Sequence, residues 1–344
     1  MSVTQLKSNL IAAAESESDL LAVLKSDAGL YEKTEACRKL AVVGGKSAVE
    51  PLIALLGDEK LSHMARYGLE TNPDSSVDKS LVEALGALKG KQLMGVIASL
   101  GVRRDANAVE ALAGFLKDAD SEIVQTAARS LGRIGGLAAI EALKGALEGS
   151  TGASRIAICE GLLRCAETAG AKGDNRTAKG VYDSLREVEA PHQVRAGALL
   201  GAIHSRKKNG MKVLLEALHG DDFAMAAAAA RAAQELQGED VSKALAEELP
   251  KLSADKQVLV AQTLGDRGDK AGLGGLLALA RSGDRSARLA AIRAIPQLGD
   301  PAAVDALKEL TKDSDGVISR SAQRSINALT GVADEDSSDT GSEG

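Results

Sequence analysis

The feature that most limits what this chain can fold into is a repeat of fixed length. Leu100 in "VIASLGVRRDANAVEALAGFL" (96–116) and Leu131 in "AARSLGRIGGLAAIEALKGAL" (127–147) hold matching places 31 residues apart. Leu264, Ile295 and Ile326 follow at the same interval, with "AAIRAIPQLGDPAAVDALKEL" (290–310) between them. Each segment reads as an apolar helix, a turn holding Gly or Asp, and a second helix. One such hairpin cannot bury its apolar face alone, so a period of about 30 residues means a solenoid of stacked hairpins.

The second helix carries a further marker, an acid after an apolar or small residue, with Leu two places on except where Pro intervenes. It recurs as "AVEPL" (Glu50), "LVEAL" (Glu83), "AVEAL" (Glu110), "AIEAL" (Glu141), "VYDSL" (Asp183), "LLEAL" (Glu216) and "AVDAL" (Asp305). Lys243 and Gly274 interrupt the series. The pattern gives about nine hairpins between residues 20 and 330, the last a half, "SRSAQRSINALTG". In "DPAAVDALKEL", Asp300 is placed to cap a helix and Pro301 to open it, where its missing N–H costs nothing. Asp58, Asp118, Asp222, Asp284 and Asp313 stand where the next hairpin begins, and are expected to cap it.

Composition agrees with thin layers. Aromatics are 1% of the residues and Trp is absent, so Ala, Leu, Ile and Val must close the core. The net charge of −6 is nearly all in "ADEDSSDTGSEG" (333–344), which has five acids and no base. The rest is close to neutral, which argues against a nucleic-acid partner. The tail lacks apolar residues to bury and is expected to be disordered. Cys37, Cys159 and Cys165 form no CxxC pair and read as buried small hydrophobes. The apolar run Leu10–Ala14 is too short for a signal-peptide core, and no stretch is long enough to span a bilayer. A cytoplasmic location is the expectation.

"DADSEIVQTAARSLGRIGG" (118–136) closely resembles the bacterial HEAT-like repeats first associated with phycobilisome lyases. The segment from "SDAGLYEKTEACRKLAVVGGKSAVEPL" to "GVRRDANAVEAL" is similar to the N-terminal block of multi-HEAT proteins of planctomycetes and related bacteria. The resemblance implies an all-α fold, a right-handed superhelical solenoid over residues 1–332. It would have an N-terminal cap at about 1–28 and a longer, insert-bearing hairpin at about 150–190. It also implies a scaffold or adaptor, with a lyase- or chaperone-type enzyme acting on a cofactor-bearing protein as the alternative.

Catalytic motifs are sparse. GxxxxGK[ST], GxSxG and HExxH do not occur, and the Gly clusters "GRIGG" and "GLGGLL" follow no strand. HEAT-like iron hydroxylases use His-Glu dyads, whereas His63, His192, His204 and His219 precede Met, Gln, Ser and Gly. No cofactor or metal is expected. The expected partner is another protein or peptide, bound by a monomer without membrane insertion.

Two surfaces are candidates for that partner. In "DEKLSHMARYGLE" (58–70), a helix wound from Glu59 puts Leu61, Ala65, Gly68 and Leu69 on one face and His63, Arg66, Tyr67 and Glu70 on another. Arg38 one hairpin earlier, and Arg103 and Arg104 one hairpin later, are placed to join them. The competing reading is a solvated helix face with internal charge pairs. The second candidate is a ladder of the second-helix acids Glu50, Glu83, Glu110, Glu141, Asp183 and Glu216. If it lines a concave surface it suits a basic peptide; the competing reading is one acid per repeat for solubility. The long turn "ETNPDSSVDKS" is a third place where solenoids often bind.

Overall fold

The computed structural model describes residues 16–332. The acidic tail and the first part of the N-terminal cap lie outside them. Twenty α-helices with short 3-10 turns, and no strand, make up the described residues. After α1 (Glu17–Lys25), first and second helices alternate. The first helices are α2 (Leu30–Val43), α4 (Ser62–Thr71), α6 (Gly90–Arg103), α8 (Ser121–Ile134), α10 (Gly152–Ala171), α12 (His192–His204), α14 (Phe223–Glu235), α16 (Ala254–Arg267) and α18 (Arg285–Ala294). Their partners are α3 (Lys46–Ile53), α5 (Ser76–Ala84), α7 (Val109–Gly114), α9 (Gly136–Leu147), α11 (Asn175–Arg186), α13 (Gly210–His219), α15 (Glu239–Glu248), α17 (Leu273–Ser282) and α19 (Ala303–Leu310). A single helix, α20 (Gly316–Thr330), follows. The fold is an all-α solenoid of helical hairpins.

The chain divides into two compact units, Met1–Val181 with Glu189–Val194 and Tyr182–Val188 with Arg195–Gly344. In the first, Leu40, Leu52, Leu69, Leu81, Leu100, Leu112, Leu131 and Leu143 are fully buried. In the second, Leu245, Leu264, Leu276, Ile292 and Leu307 play the same part. Each such side chain contributes about 1.5–3 kcal/mol of transfer free energy, an upper range set by an extended unfolded chain. The 31-residue anchors are therefore the core positions of the first helices. Small residues let these helices close in. A Cβ on Gly132 of α8 would meet the Gly161 Cα of α10 at 2.7 Å, so two backbones touch there.

Turn chemistry departs from expectation in detail. Asp222 and Asp284 do cap helices, accepting from the N–H of Ala224 and Ala287. Asp118 and Asp313 instead accept from the N–H of Asp120 and Asp315, and those acids are the caps. Asp58 accepts from Lys60 and Leu61, closing a turn that delays α4 until Ser62. Asp300 likewise accepts from Ala302, and α19 starts at Ala303 rather than at Pro301. An Asp side chain satisfies N–H groups two residues on in either setting, and residue type alone does not choose between turn and cap.

The first helix α10 runs 20 residues against 14 for α8. The long turn does not project freely. Asn72 is buried and donates to Gly45 O at 2.8 Å, and its own carbonyl side chain accepts from Asp74 N at 2.9 Å. Among the described residues, no helix is long and apolar enough to cross a membrane.

Candidate functional site

The helix α4 buries Leu61, Ala65, Gly68 and Leu69 at and beyond its start, as the wheel requires. That turns His63 and Tyr67 outward and leaves Arg66 and Glu70 half-buried against α6. Arg66 Nη1 donates to Gly95 O at 3.3 Å, and Nη2 lies 3.4 Å from His63 Nδ1. The guanidinium fits because residue 95 has no side chain; a Cβ there would stand 2.5 Å from Arg66 Nε. Nε itself is buried without an acceptor. Burial pushes the Arg66 pKa down, opposed by the Glu70 charge. Glu70 Oε1 accepts from Ser99 Oγ at 2.6 Å. His63, Arg66 and Glu70 of α4 thus share one polar network with Gly95 and Ser99 of α6.

Beside this network lies a second group on α2. Arg38 is held by Glu35 at 2.7 Å, and that hydrogen bond raises its pKa, with Tyr67 and Tyr31 adding through their charges. Tyr31, Glu35 and Arg38 follow at i, i+4 and i+7, on one stripe of the helix. Tyr31 is 75% exposed and Tyr67 47%. Leu30, Val42 and Val43 of α2 and Val102 of α6 are also exposed. Tyr31 and Tyr67 both lie within electrostatic reach of Arg38. Tyr31 was missed, although its place two turns before Arg38 is readable.

Arg103 does not join this patch. Its guanidinium is only 10% exposed and is consumed in the framework. Nη1 donates to Leu69 O at 2.8 Å and Asn72 O at 2.7 Å, while Nε and Nη2 reach the Asp78 carboxylate at 2.5 and 2.9 Å. It satisfies carbonyls that the end of α4 leaves open and ties them to α5. Arg267 does the same in the second unit, donating to Ala233 O, Leu236 O and Gly238 O and pairing with Asp269 at 2.9 Å. Arg104 is exposed and caps α6 in the left-handed region, φ 56°.

The acid series divides by unit. Glu50, Glu83, Glu110 and Glu141 stand exposed on α3, α5, α7 and α9, with Lys79 3.7 Å from Glu83. In the second unit Asp183 is half-buried and held by Arg206 and by Arg186 at 3.6 Å. Glu216 is exposed, with Lys212 at 3.9 Å.

The model of HEAT repeats matches residues 66–162 and 242–327, together more than half of the chain. The chain belongs to the HEAT-repeat family. Among solved structures, this HEAT-repeat chain is similar to an engineered protein at 22% identity, covering 92% of this chain and 99% of that one with a TM-score of 0.38. It is also similar to human deoxyhypusine hydroxylase in complex with glycerol, at 19% identity, 83% and 96% coverage and a TM-score of 0.34. No curated protein matches it. Among the described residues of these HEAT repeats, no three of His, Cys, Asp and Glu are grouped to hold a metal ion.

Proposed function

We propose that this HEAT-repeat chain is a non-catalytic scaffold that holds a protein partner on the first-helix face of its N-terminal unit. The observation that carries the reading is the exposure of Tyr31 and Tyr67, both within electrostatic reach of Arg38. Only three Tyr occur in 344 residues, and two of them face solvent here. A buried aromatic would stabilise the core, so keeping two outside favours a surface use. Tyr and Arg are the side chains that interfaces most often use as anchors, because they combine large area with a polar tip. Leu30 and Val42 of α2 and Val102 of α6 are further exposed apolar side chains of this unit. The His63–Arg66–Glu70 network, fixed by α6, gives this face a set shape rather than a fluctuating one.

A second surface of the same unit, the exposed acids Glu50, Glu83, Glu110 and Glu141, suits a basic peptide. The two surfaces are separable by experiment. Affinity purification with quantitative mass spectrometry, comparing the natural chain with a Tyr31→Ser/Tyr67→Ser variant of matched circular dichroism, tests the first. A partner lost from the variant supports the tyrosine face. A partner that survives there and is lost from a Glu83→Gln/Glu110→Gln variant moves the site to the acids.

A further inference from the structure

One row of side chains recurs on the first helices of the second unit. Two residues before the buried anchors Leu264, Ile295 and Ile326 stand Gln262, Arg293 and Arg324, each 31 residues from the next. One more step back is Arg231 of α14, 3.9 Å from Glu235. All four are exposed. Equivalent positions on stacked helices fall on one line across them. The helices concerned touch. A Cβ on Gly265 of α16 would stand 3.0 Å from the Ala294 Cβ of α18, and Ser325 Oγ of α20 donates to Ile292 O of α18 at 2.8 Å. Neither α18 nor α20 contains an acid. Turn acids take Arg285 and Arg288 of α18, through Asp315 and Asp313. Arg293, Arg320 and Arg324 are exposed, and among the described residues no ion pair reaches them. Between α16 and α18 runs a groove of about 330 Å³, lined by half-buried Val258 and Leu289 together with Gln262 and Arg293. Asp266, which also lines it, accepts from Gln234 at 2.8 Å.

Neighbouring packed helices lie about 8–10 Å apart. A chain in the extended polyproline form brings one face round every three residues, about 9.3 Å. The two periods agree, so a segment laid across the helices returns a side chain to this line at every third residue. We propose that α16, α18 and α20 form a docking face for an extended acidic segment of a partner protein. Carboxylates three residues apart sit on Arg293 and Arg324, and an apolar side chain enters the groove lined by Val258 and Leu289. Gln262, one step further on, offers a neutral donor and acceptor. Arg320 lies one turn from Arg324 on the same face of α20 and adds to the positive field. Each exposed pair is weak and screened by salt, so recognition depends on carboxylates in register and not on charge alone. This face belongs to the second unit and stands independently of the tyrosine face.

The test uses two short fluorescent peptides of one composition, one with Glu at every third position and one with the same Glu residues adjacent. At low salt the full chain is expected to bind the spaced peptide at least about fivefold more tightly than the clustered one, a preference lost as salt is raised to about 0.5 M. Arg293→Gln with Arg324→Gln is expected to remove the preference and to weaken the spaced peptide at least about fivefold. Arg324→Gln alone serves should the pair perturb folding. Arg133→Gln with Arg164→Gln, an equal loss of charge at exposed arginines of the first unit, is expected to leave the preference unchanged. Equal binding of the two peptides overturns the proposal, as does a preference that survives loss of Arg293 and Arg324 or falls equally in the control pair. A single-stranded oligonucleotide that displaces the spaced peptide and binds more tightly also overturns it, and gives the face to a phosphate backbone instead.

Discussion

The Arg66 guanidinium lies against the α-carbon of Gly95, so closely that a single added methyl would stand 2.5 Å from Nε. The fit joins two hairpins, yet it leaves that Nε buried without an acceptor. Gly95→Ala should therefore push Arg66 out. The helix gains about 0.8–1 kcal/mol from replacing Gly by Ala and loses the Arg66 bond to Gly95 O, worth about 1 kcal/mol. The expected net change in stability is within about 1 kcal/mol, while partner binding through the shaped face falls. In an Arg66→Ala background the same substitution should stabilise outright. Urea titrations of the four chains in this cycle check it; a loss above about 3 kcal/mol from Gly95→Ala alone would show that α6 itself is forced away.

Arg103 and Arg104 are adjacent in sequence and opposite in role. Arg103→Met strands the Leu69 and Asn72 carbonyls and the Asp78 carboxylate. The expected cost is about 2–4 kcal/mol. Arg103→Lys should recover little, because one ammonium cannot reproduce the fork. Arg104→Gly should stabilise by up to about 1 kcal/mol, since the left-handed cap strains any side chain with a Cβ. If Arg103→Met proves as mild as a surface change, the clamp is decoration and the Arg267 clamp should be retested the same way.

These two arginines also mark how far the sequence could be read. The 31-residue anchors located the buried face, and Leu100, Leu131 and Leu264 are indeed fully buried. The wheel over 61–70 separated His63 and Tyr67 from Leu61 and Leu69 correctly. Periodicity says nothing about where a long side chain ends, so Arg103 read as a surface base although its head is internal. Nor does it pair residues across hairpins. Gly95 and Ser99 gave no signal of their own, and Tyr31 belonged to the patch only once α2 and α4 were seen to meet.

Acid should loosen the second unit. Asp313 has its pKa lowered chiefly by the hydrogen bond from Arg288, and Asp315 by that from Arg285, both below the ordinary 3.8. Glu248 is lowered by Lys251 and then His219, below 4.5. A folded-state value below the unfolded one stabilises above the unfolded pKa, and that contribution is lost as pH falls through the folded value. Stability should thus hold down to about pH 5 and decline below pH 4. Asp313→Asn should weaken the chain at pH 7 and converge with the natural chain as the pH approaches 3. Urea midpoints of both chains across that range are the measurement; parallel curves would mean the Asp313–Arg288 pair does not couple to folding.

The three thiols should be silent in the folded chain and useful for that reason. Cys37, Cys159 and Cys165 are all buried. Burial pushes Cys37 up to about 11 and Cys165 up to about 12, and raises Cys159 as well, with the Glu160 charge adding and Arg155 opposing. The thiolate is the reactive form, and here both access and ionisation are withheld. A folded pKa raised above the ordinary 9.0 stabilises below that value, and the contribution is lost progressively as pH rises from there through about 11 for Cys37. At pH 8 a chromogenic disulfide reagent should therefore meet almost no thiol within minutes, and three per chain in strong guanidinium. Faster reaction of one thiol in native buffer would place a local opening at that hairpin, most informatively at Cys37, which lies on α2 beneath the proposed tyrosine face.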